Sequence, residues 1–274
     1  MYEDRITIFI DILGFRNIVE KTKSDIKYSQ EIFSVLDSMS SSQIKNELFG
    51  ELNVNGQDSK EEEKTRLLQS EISHRLIQKS SIKVTHFSDS IVLSIGLEND
   101  MYAMSMIEYV SRLIYRLWKD FKILIRGGIA VGKLSHVDKG PLFGPAMVKA
   151  YDIETNLANY PRIILDNNAY QIITNSPSYK LLKNIFKPYS GEKVVNGSLI
   201  KIEQGFEMNL ATSFKHLMNS HFTVHPANRK VVQDVIDNTT DNLKAMAKKN
   251  ESLKVKEKYD YLITELEQTE IMIK

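Results

Sequence analysis

Two aspartates stand at the ends of apolar, strand-like segments, where carboxylates can do chemistry. Asp11 lies in the segment FIDILGF, and Asp89 lies in the segment THFSDSIVLS. A carboxylate beside a buried strand costs free energy unless it is paired or bound to a cation. Two of them can converge where neighbouring strands meet, and paired oxygen ligands suit Mg²⁺ or Mn²⁺. The two segments therefore predict a metal site.

Each aspartate alone is a weak signal, because an Asp at a strand end more often caps a helix or forms a turn. Gly14 and Phe15 follow Asp11 closely and predict a turn that opens a helix. Backbone N–H groups at such a turn bind anions, so phosphates can lie beside the metal. The pattern D-I-x-G-F combined with a later S-D is therefore far more specific than either half.

The elements that must position these residues are strands and helices in mixed order. Short β-branched, apolar runs predict strands, and apolar residues at helical spacing predict helices. Ser88 and Asp89 lie between two strand-like runs, which indicates a hairpin. The predicted strands cover residues 5–13, 81–95 (the hairpin), 123–131 and 162–165, and the predicted helices cover residues 15–39, 65–78, 100–119, 144–158 and 168–173.

The remaining stretches have the composition of connections or of a C-terminal extension. Residues 40–64 are polar and predict a surface insertion, and residues 132–141, marked by Gly and Pro, predict a loop. Beyond residue 175, the pair Asn196-Gly197 predicts a second hairpin. The highly charged stretch 228–274 predicts helices with a break at residues 249–255.

This order of elements predicts an α+β sandwich: a mostly antiparallel sheet with packed helices, plus a C-terminal helical appendage. We interpret residues 1–175 as the catalytic domain and residues 176–274 as a β-hairpin and helical extension.

Composition excludes several classes of protein. The formal net charge is +1, without the basic excess of a protein that grips nucleic acid. The chain has no cysteine, which excludes disulfides and cysteine zinc sites. The N-terminal segment does not resemble a signal peptide, and no apolar stretch approaches the ~20 residues of a membrane span. We therefore expect a cytoplasmic protein with neither a nucleic-acid nor a membrane partner.

The segments DILGF, FSDS, RGGIAVGKL and FGPAMVKAYDIE together resemble the motifs of the class III nucleotidyl cyclases over about residues 4–165. The resemblance implies that Asp11 and Asp89 bind two divalent metal ions, Mg²⁺ or Mn²⁺, with the carbonyl of Ile12 as a further ligand. It also implies that Gly14 and Phe15 cradle the triphosphate of the substrate. Members of this family form head-to-tail homodimers with active sites at the interface, and the same assembly is expected here.

Four positions depart from the purine cyclases. Thr85 and Pro141 stand where those enzymes carry a base-reading Lys and Asp, and Val148 and Asp152 stand where they carry the transition-state Asn and Arg. In this the chain resembles the pyrimidine cyclases of Pycsar antiphage defence. That resemblance implies cyclisation of CTP or UTP to cyclic CMP or cyclic UMP, which would act on a separate effector protein.

The departures leave the cation and the base pocket to be assigned. Arg126 and Lys149 are candidates for the catalytic cation, against the simpler interpretations of a structural ion pair and a solvated helix residue. A hydroxyl can hydrogen-bond a pyrimidine and an aromatic ring can stack on it. The residues that the resemblance places around the base are Thr85, Phe87 and Pro141, with Tyr151 as a candidate contact to a partner's site.

Two alternative functions stay open at this point. A purine cyclase with replaced recognition residues would keep the metal site, although Thr85 and Pro141 argue against it. A catalytically silent sensor that binds nucleotide would account for Val148 and Asp152, although retention of both aspartates argues against it. A diguanylate-cyclase-like enzyme would also bind metal ions through carboxylates, but the chain has no GGDEF-like hairpin.

Overall fold

The structure is a computed structural model that describes residues 1–49, 81–98, 100–138, 140–221 and 226–271. Strands form wherever β-branched and apolar residues alternate across two packed faces. The strands are β1 (Glu3–Ile12), β2 (Lys83–Phe87), β3 (Ser90–Gly96), β4 (Ile125–His136), β5 (Leu142–Phe143), β6 (Arg162–Leu165), β7 (Lys187–Val195) and β8 (Ser198–Asn209).

The strands build one sheet in the order β2-β3-β1-β4-β6-β8-β7, with β5 paired to β4 off this path. The neighbours pair antiparallel except for β4 and β6, which run parallel. The predicted α+β class with a mostly antiparallel sheet is confirmed. β1 lies between β3 and β4, so the strand that carries Asp11 is shielded on both edges.

Helices cover both faces of the sheet. Their bounds are α1 (Phe15–Thr22), α2 (Ile26–Ser38), α3 (Ser41–Phe49), α4 (Asp100–Phe121), α5 (Pro145–Asn156), α6 (Asn167–Asn175), α7 (Tyr179–Leu182), α8 (Leu210–His221), α9 (Pro226–Lys249) and α10 (Leu253–Ile271). No helix among these described residues is long and apolar enough to cross a bilayer.

The two faces of β1 bury different kinds of side chain, because successive residues of a strand point to opposite faces. Ile6, Ile8, Ile10 and Ile12 enter the main core, whose other members come largely from the helices, α4 included. On the opposite face, here called the α5 face, Phe9 packs with Val92, Ala130 and Ala150. Asp11 has the same parity as Phe9 and therefore lies on the α5 face.

Several predicted boundaries need correction. The helix predicted for residues 15–39 is two helices, because Asp25 caps a new start by accepting a hydrogen bond from the Tyr28 N–H. The loop predicted for residues 132–141 begins only after His136, because β4 stays paired to β1 and then to β5. Of the predicted insertion, residues 41–49 form α3. The rest of it, with the helix predicted at 65–78, lies outside the described residues.

The C-terminal part shares the sheet and the core of the N-terminal part. The Asn196-Gly197 turn joins β7 to β8 as predicted, and β8 pairs with β6. Ile236 and Leu243 on α9 and Leu262 on α10 belong to the main core. The predicted terminal helices are therefore present and integral to the fold. The boundary predicted at residue 175 stays a prediction about function, because one sheet and one core extend across it.

Candidate active site

Asp11 lies at the end of β1, where its register places it between two neighbours. It pairs with Ser90 on β3 and with Arg126 on β4. Its side chain is 17% exposed, and its Oδ2 accepts a hydrogen bond of 2.9 Å from Arg126 Nε. A charge-assisted bond of this kind is among the stronger ones in proteins. The carboxylate is thus held in place on the α5 face, where the C-terminal end of β1 meets the start of β4.

Asp89 is brought to the same place by a tight turn. Ser88 and Asp89 form the two-residue connection between β2 and β3, with Ser88 in the left-handed region at φ 55°. The Asp89 carbonyl accepts a hydrogen bond of 2.9 Å from the Ile12 N–H. That bond ties the hairpin turn to the end of β1. The three residues predicted as metal ligands, Asp11, Ile12 and Asp89, therefore lie together.

Glu154 on α5 adds a third carboxylate that was not among the predicted site residues. Its Oε1 lies 2.8 Å from Arg126 Nε. That nitrogen donates its hydrogen bond to Asp11 instead, so the buried Oε1 has no hydrogen-bond partner among the described residues. Burial raises the pKa of Glu154, and Asp11 and Asp89 raise it further against the opposing effects of Thr155 and Arg126. A lone Glu on the apolar face of α5 was the signal available in the sequence.

The donor set fits a hard divalent cation. Asp11 and Asp89 offer carboxylate oxygens, and the nearby Glu154 Oε1 accepts no hydrogen bond from the described residues. In the part of the chain described here, no group of three or more acidic or histidine side chains has metal-binding geometry. Mg²⁺ is commonly held by one or two carboxylates plus water and substrate phosphates, and does not need a full protein cage. The residues present therefore fit the predicted metal.

The turn after β1 opens α1 as the sequence predicted. Gly14 caps the helix in the left-handed region at φ 75°, and its carbonyl accepts hydrogen bonds from Asn17 and Ile18 at 2.9 and 3.2 Å. A side chain at Gly14 would meet open space, so it is the backbone angle that favours glycine. Phe15 is half-buried and packs against the main core. Gly14 is thus exposed beside Asp11, while Phe15 anchors the helix.

Thr85 belongs to a buried polar chain that sequence reasoning missed. Its Oγ1 lies 2.8 Å from His136 Nε2, and His136 Nδ1 lies 2.7 Å from Ser94 Oγ. Arg5 Nε in turn donates to Ser94 Oγ at 3.0 Å. Burial, followed by the charge of Arg5, lowers the pKa of His136 to about 4, so the ring is neutral at neutral pH. The neutral ring therefore donates from one nitrogen and accepts at the other, and so links Ser94 to Thr85.

The other predicted base-pocket residues are spread along the α5 face and its rim. Phe87 pairs with Ser90 in the row of Asp11 and is 47% exposed. Tyr151 is 46% exposed and contacts the ring of Phe9 edge-on at 5.4 Å between centroids. Pro141 is exposed in the connection between β4 and β5. Thr85 and Phe87 share the face of Asp11, whereas Pro141 lies beyond the β4 end that is remote from it.

The structure does not bring Lys149 to the carboxylates. Its Nζ forms an ion pair of 2.5 Å with the buried Asp166, which follows β6 at the end of the sheet opposite to Asp11. Val148, Lys149 and Asp152 instead line a cavity of about 660 Å³ between α5 and β8. Of the two cations proposed from the sequence, only Arg126 is in the cluster.

A second cation, Lys258 on α10, lies near the cluster and was also missed. It is half-buried, and burial followed by the charge of Arg126 lowers its pKa, while Asp11 and Glu154 oppose the shift. Nothing in the charged C-terminal sequence marks this lysine, because many similar residues surround it. Only the packing of α10 selects it.

Comparisons with known proteins give likenesses at the level of structure. No protein-family model and no curated protein matches the chain. The adenylyl cyclase CyaB from P. aeruginosa superposes with a TM-score of 0.49 at 14% identity, covering 76% of this chain and 94% of that one. An adenylate/guanylate cyclase/hydrolase from Silicibacter pomeroyi gives a TM-score of 0.46 at 12% identity, covering 76% and 98%.

A third solved structure, a bacterial light-regulated adenylyl cyclase, gives a TM-score of 0.40 at 13% identity, covering 80% of this chain and 99% of that one. All three TM-scores lie below 0.5, so the functional proposal depends on this chain's own residues.

Proposed function

We propose that this chain is a metal-dependent nucleotidyl cyclase that converts CTP or UTP into the 3′,5′-cyclic monophosphate and pyrophosphate. The single observation that carries the proposal is the convergence of Asp11 and Asp89 at one edge of the sheet. The Ile12–Asp89 hydrogen bond holds the two strand ends together, beside a turn that opens a helix. Motifs far apart in the sequence are thereby assembled into one oxygen-rich site.

The residues of the chain would divide the work as follows. Asp11, Asp89 and the Ile12 carbonyl would hold two divalent ions. The ions, when bound, would lower the pKa of the ribose hydroxyl and offset phosphate charge. Arg126 would position the Asp11 carboxylate through its 2.9 Å hydrogen bond. The first N–H groups of α1, after Gly14, would receive phosphate oxygens.

The reaction would be an in-line displacement at the α-phosphorus. The ribose 3′-oxygen forms a bond to that phosphorus while the bond to the bridging oxygen of the β-phosphate breaks. Pyrophosphate leaves with the electron pair, and the proton of the 3′-hydroxyl passes to solvent. Such a reaction needs mainly positioning and charge stabilisation from the protein, which a rigid sheet edge with fixed charges supplies.

The preference for a pyrimidine would depend on Thr85 and Phe87, which share the face of Asp11, whereas Pro141, beyond the far end of β4, would act only in the site of a second copy. The Thr85 hydroxyl ends the hydrogen-bonded chain that runs from Arg5 through Ser94 and His136. A hydroxyl has one donor hydrogen and two acceptor lone pairs, so beyond its bond to His136 it would still be able to hydrogen-bond a pyrimidine edge. The exposed ring of Phe87 lies on the same face and offers a stacking surface.

We further propose a homodimer, with the cyclic product acting on a separate effector in antiphage defence. Exposed apolar side chains on or near the α5 face, among them Phe87, Val148 and Tyr151, suit burial against a second copy. Light scattering would test the assembly by its mass, since one chain has 31.5 kDa.

The defence role is inferred from motif resemblance and would be tested by phage challenge of cells that carry the intact or the Asp89→Ala protein.

A silent nucleotide sensor is the alternative that a specific observation favours. Val148 and Asp152, which occupy the transition-state positions of the resembled family, line the 660 Å³ cavity beside α5. Neither a valine nor an aspartate carries the amide or the positive charge of Asn and Arg, so this pair could not stabilise the transition state in their way. A sensor would bind a triphosphate with metal and form no cyclic product.

The first experiment is incubation of the purified protein with ATP, GTP, CTP or UTP and Mn²⁺, with products identified by mass spectrometry. We expect a cyclic pyrimidine monophosphate, and a loss of at least about a thousandfold in Asp89→Ala and Asp11→Asn because metal binding is removed. Asp120→Asn changes an exposed aspartate outside the site and serves as the matched control.

Each other outcome would change the proposal in a defined way. A cyclic purine would retain the mechanism and overturn the pyrimidine assignment, leaving a purine cyclase. Tight Mn²⁺-dependent nucleotide binding with no cyclic product from any of the four substrates would favour the sensor. Equal activity in Asp89→Ala and the wild-type protein would contradict the metal site itself.

A further inference from the structure

The terminal helix α10 crosses the edge of the sheet at which Asp11 lies. Two residues of the helix show its direction. Glu265 forms an ion pair of 2.6 Å with Lys187 on β7, at the outer end of the sheet. Tyr261, one turn earlier, reaches β8 and β6: it donates to Glu207 at 2.9 Å and its ring lies 5.7 Å from the Arg162 guanidinium. From Glu265 back to Tyr261, the helix therefore runs from β7 toward β6.

Lys258 continues this progression toward β4 and β1. It lies three residues before Tyr261 and four before the fully buried Leu262, so all three share the inner face of α10. The strands next in order after β6 are β4, which carries Arg126, and β1, which carries Asp11. The charges that act on Lys258 are those of Arg126, Asp11 and Glu154, which agrees with this placement.

The position of α10 is fixed by well-formed contacts. Tyr261 stacks on Tyr160 at 4.8 Å between ring centroids and accepts a hydrogen bond of 3.0 Å from Asn209 Nδ2. Leu262 and Leu266 are fully buried in the main core. Lys258 is thus carried by a rigidly held helix and is not part of a frayed end.

Lys258 forms no close ion pair with the described residues. No carboxylate of the described residues lies within the 4 Å ion-pair distance of its Nζ, although Asp11 and Glu154 act on it from further away. The Nε of Arg126 already lies between Asp11 and Glu154, at 2.9 and 2.8 Å. A second positive charge so near would oppose metal binding to the bare carboxylates. It would become favourable once a polyanion had joined the site.

We propose that Lys258 binds the phosphates of the nucleotide at the Asp11–Asp89 site, so that the C-terminal helices form part of the catalytic unit. This inference rests on the proposed function and names the cation that the sequence left unassigned. A lysine ammonium on a flexible stem is a compact point charge suited to phosphate. It acts from the same chain as the metal ligands, and it contacts substrate rather than metal.

The proposal makes two predictions of opposite sign for Lys258→Gln. Binding of the non-cyclisable analogues α,β-methylene-CTP and α,β-methylene-UTP, measured by calorimetry with Mn²⁺, should weaken about tenfold, because one cation near the phosphates is lost. Binding of Mn²⁺ without nucleotide should strengthen about threefold, because a like charge is removed. A structural role for Lys258 would not produce this reversal.

Two further variants make the test specific. Lys258→Arg keeps the charge and should bind the analogues within about threefold of the wild-type protein. Lys254→Gln, an exposed lysine one turn away on the same helix, should leave both affinities unchanged. Unchanged analogue affinity in Lys258→Gln, with a wild-type protein that binds and cyclises nucleotide, would overturn this inference alone. Failure of the wild-type protein to bind any analogue would overturn the proposed function and this inference with it.

Discussion

Arg126 illustrates how much of the site depends on single side chains. Its Nε stands between Asp11 at 2.9 Å and Glu154 at 2.8 Å, and its own side chain is 24% exposed. Two partly dehydrated carboxylates around one guanidinium leave a local excess of negative charge whenever both are ionised. That excess is what a divalent cation would neutralise, which agrees with the proposed use of the site.

The protonation of His136 is testable at this same scale. The pKa lowered to about 4 means that the folded protein binds fewer protons at this ring than the unfolded chain, whose histidine titrates at about 6.5. The ring's contribution to stability is therefore intact above about pH 6.5 and is lost as the pH falls toward 4. We expect its NMR signal, assigned through His136→Gln, to titrate with a midpoint at about pH 4.

The unfolding free energy gives a second readout for the same ring. The stability of the wild-type protein relative to His136→Gln, measured by urea unfolding, should decrease as the pH falls from about 6.5 to 4.5. A midpoint near 6.5 in the NMR titration, or a stability difference independent of pH, would contradict the neutral, hydrogen-bonded ring.

At the scale of elements, the approach of α5 to β4 decides where Glu154 lies. Gly128 permits this approach, because a Cβ there would overlap the carbonyl oxygen of Ala150 on α5. Gly132 stands on the same strand and face, yet a Cβ there would meet only the Ala146 Cβ, at 3.7 Å, an ordinary contact. Two glycines in one motif strand thus have different structural roles.

This contrast predicts that Gly128→Ala destabilises the protein and Gly132→Ala does not. The first substitution forces α5 away from the sheet and should cost about 3 kcal/mol, the range of severe overpacking. The second should change the unfolding free energy by less than about 0.5 kcal/mol. Urea unfolding of both variants measures the difference. Equal destabilisation by the two substitutions would show that α5 does not pack on β4 as described.

At the scale of the whole molecule, one core joins the predicted catalytic part and the predicted extension. β6 pairs with β8, and Trp118 on α4 donates a hydrogen bond of 3.4 Å to Thr239 on α9. Phe206 and Leu262 belong to the same core as the isoleucines of β1. Function assigned to the first part therefore depends on the second.

The shared core predicts that residues 1–175 do not fold alone. A fragment of residues 1–175 lacks β8, so one edge of β6 is unpaired, and it lacks the core residues Phe206, Phe214 and Leu262. Together these losses lower the free energy of unfolding by several kcal/mol. We expect the fragment to show no cooperative thermal transition by circular dichroism, whereas the whole chain unfolds cooperatively. A fragment that melted cooperatively would support the predicted boundary at residue 175 as a true domain border.

The sequence by itself predicted the features that depend on local chain chemistry. Short β-branched, apolar runs predicted β1, β6 and the hairpin around Asp89, and the Asn196-Gly197 pair predicted the second hairpin. A strand end and a turn fix the direction of a nearby side chain, so the neighbourhood of Asp11, Ile12 and Asp89 followed from short motifs. What these residues bind stays a prediction.

Only the tertiary structure decided which distant side chains join them. Glu154 enters because α5 packs tightly on Gly128, and Lys258 enters because α10 is anchored across the strand ends. Lys149 forms an ion pair with Asp166 away from the site, and Thr85 is hydrogen-bonded to His136. These choices depend on the packing of elements far apart in the chain, where burial and charge select one partner among many similar residues, and no local pattern records that selection.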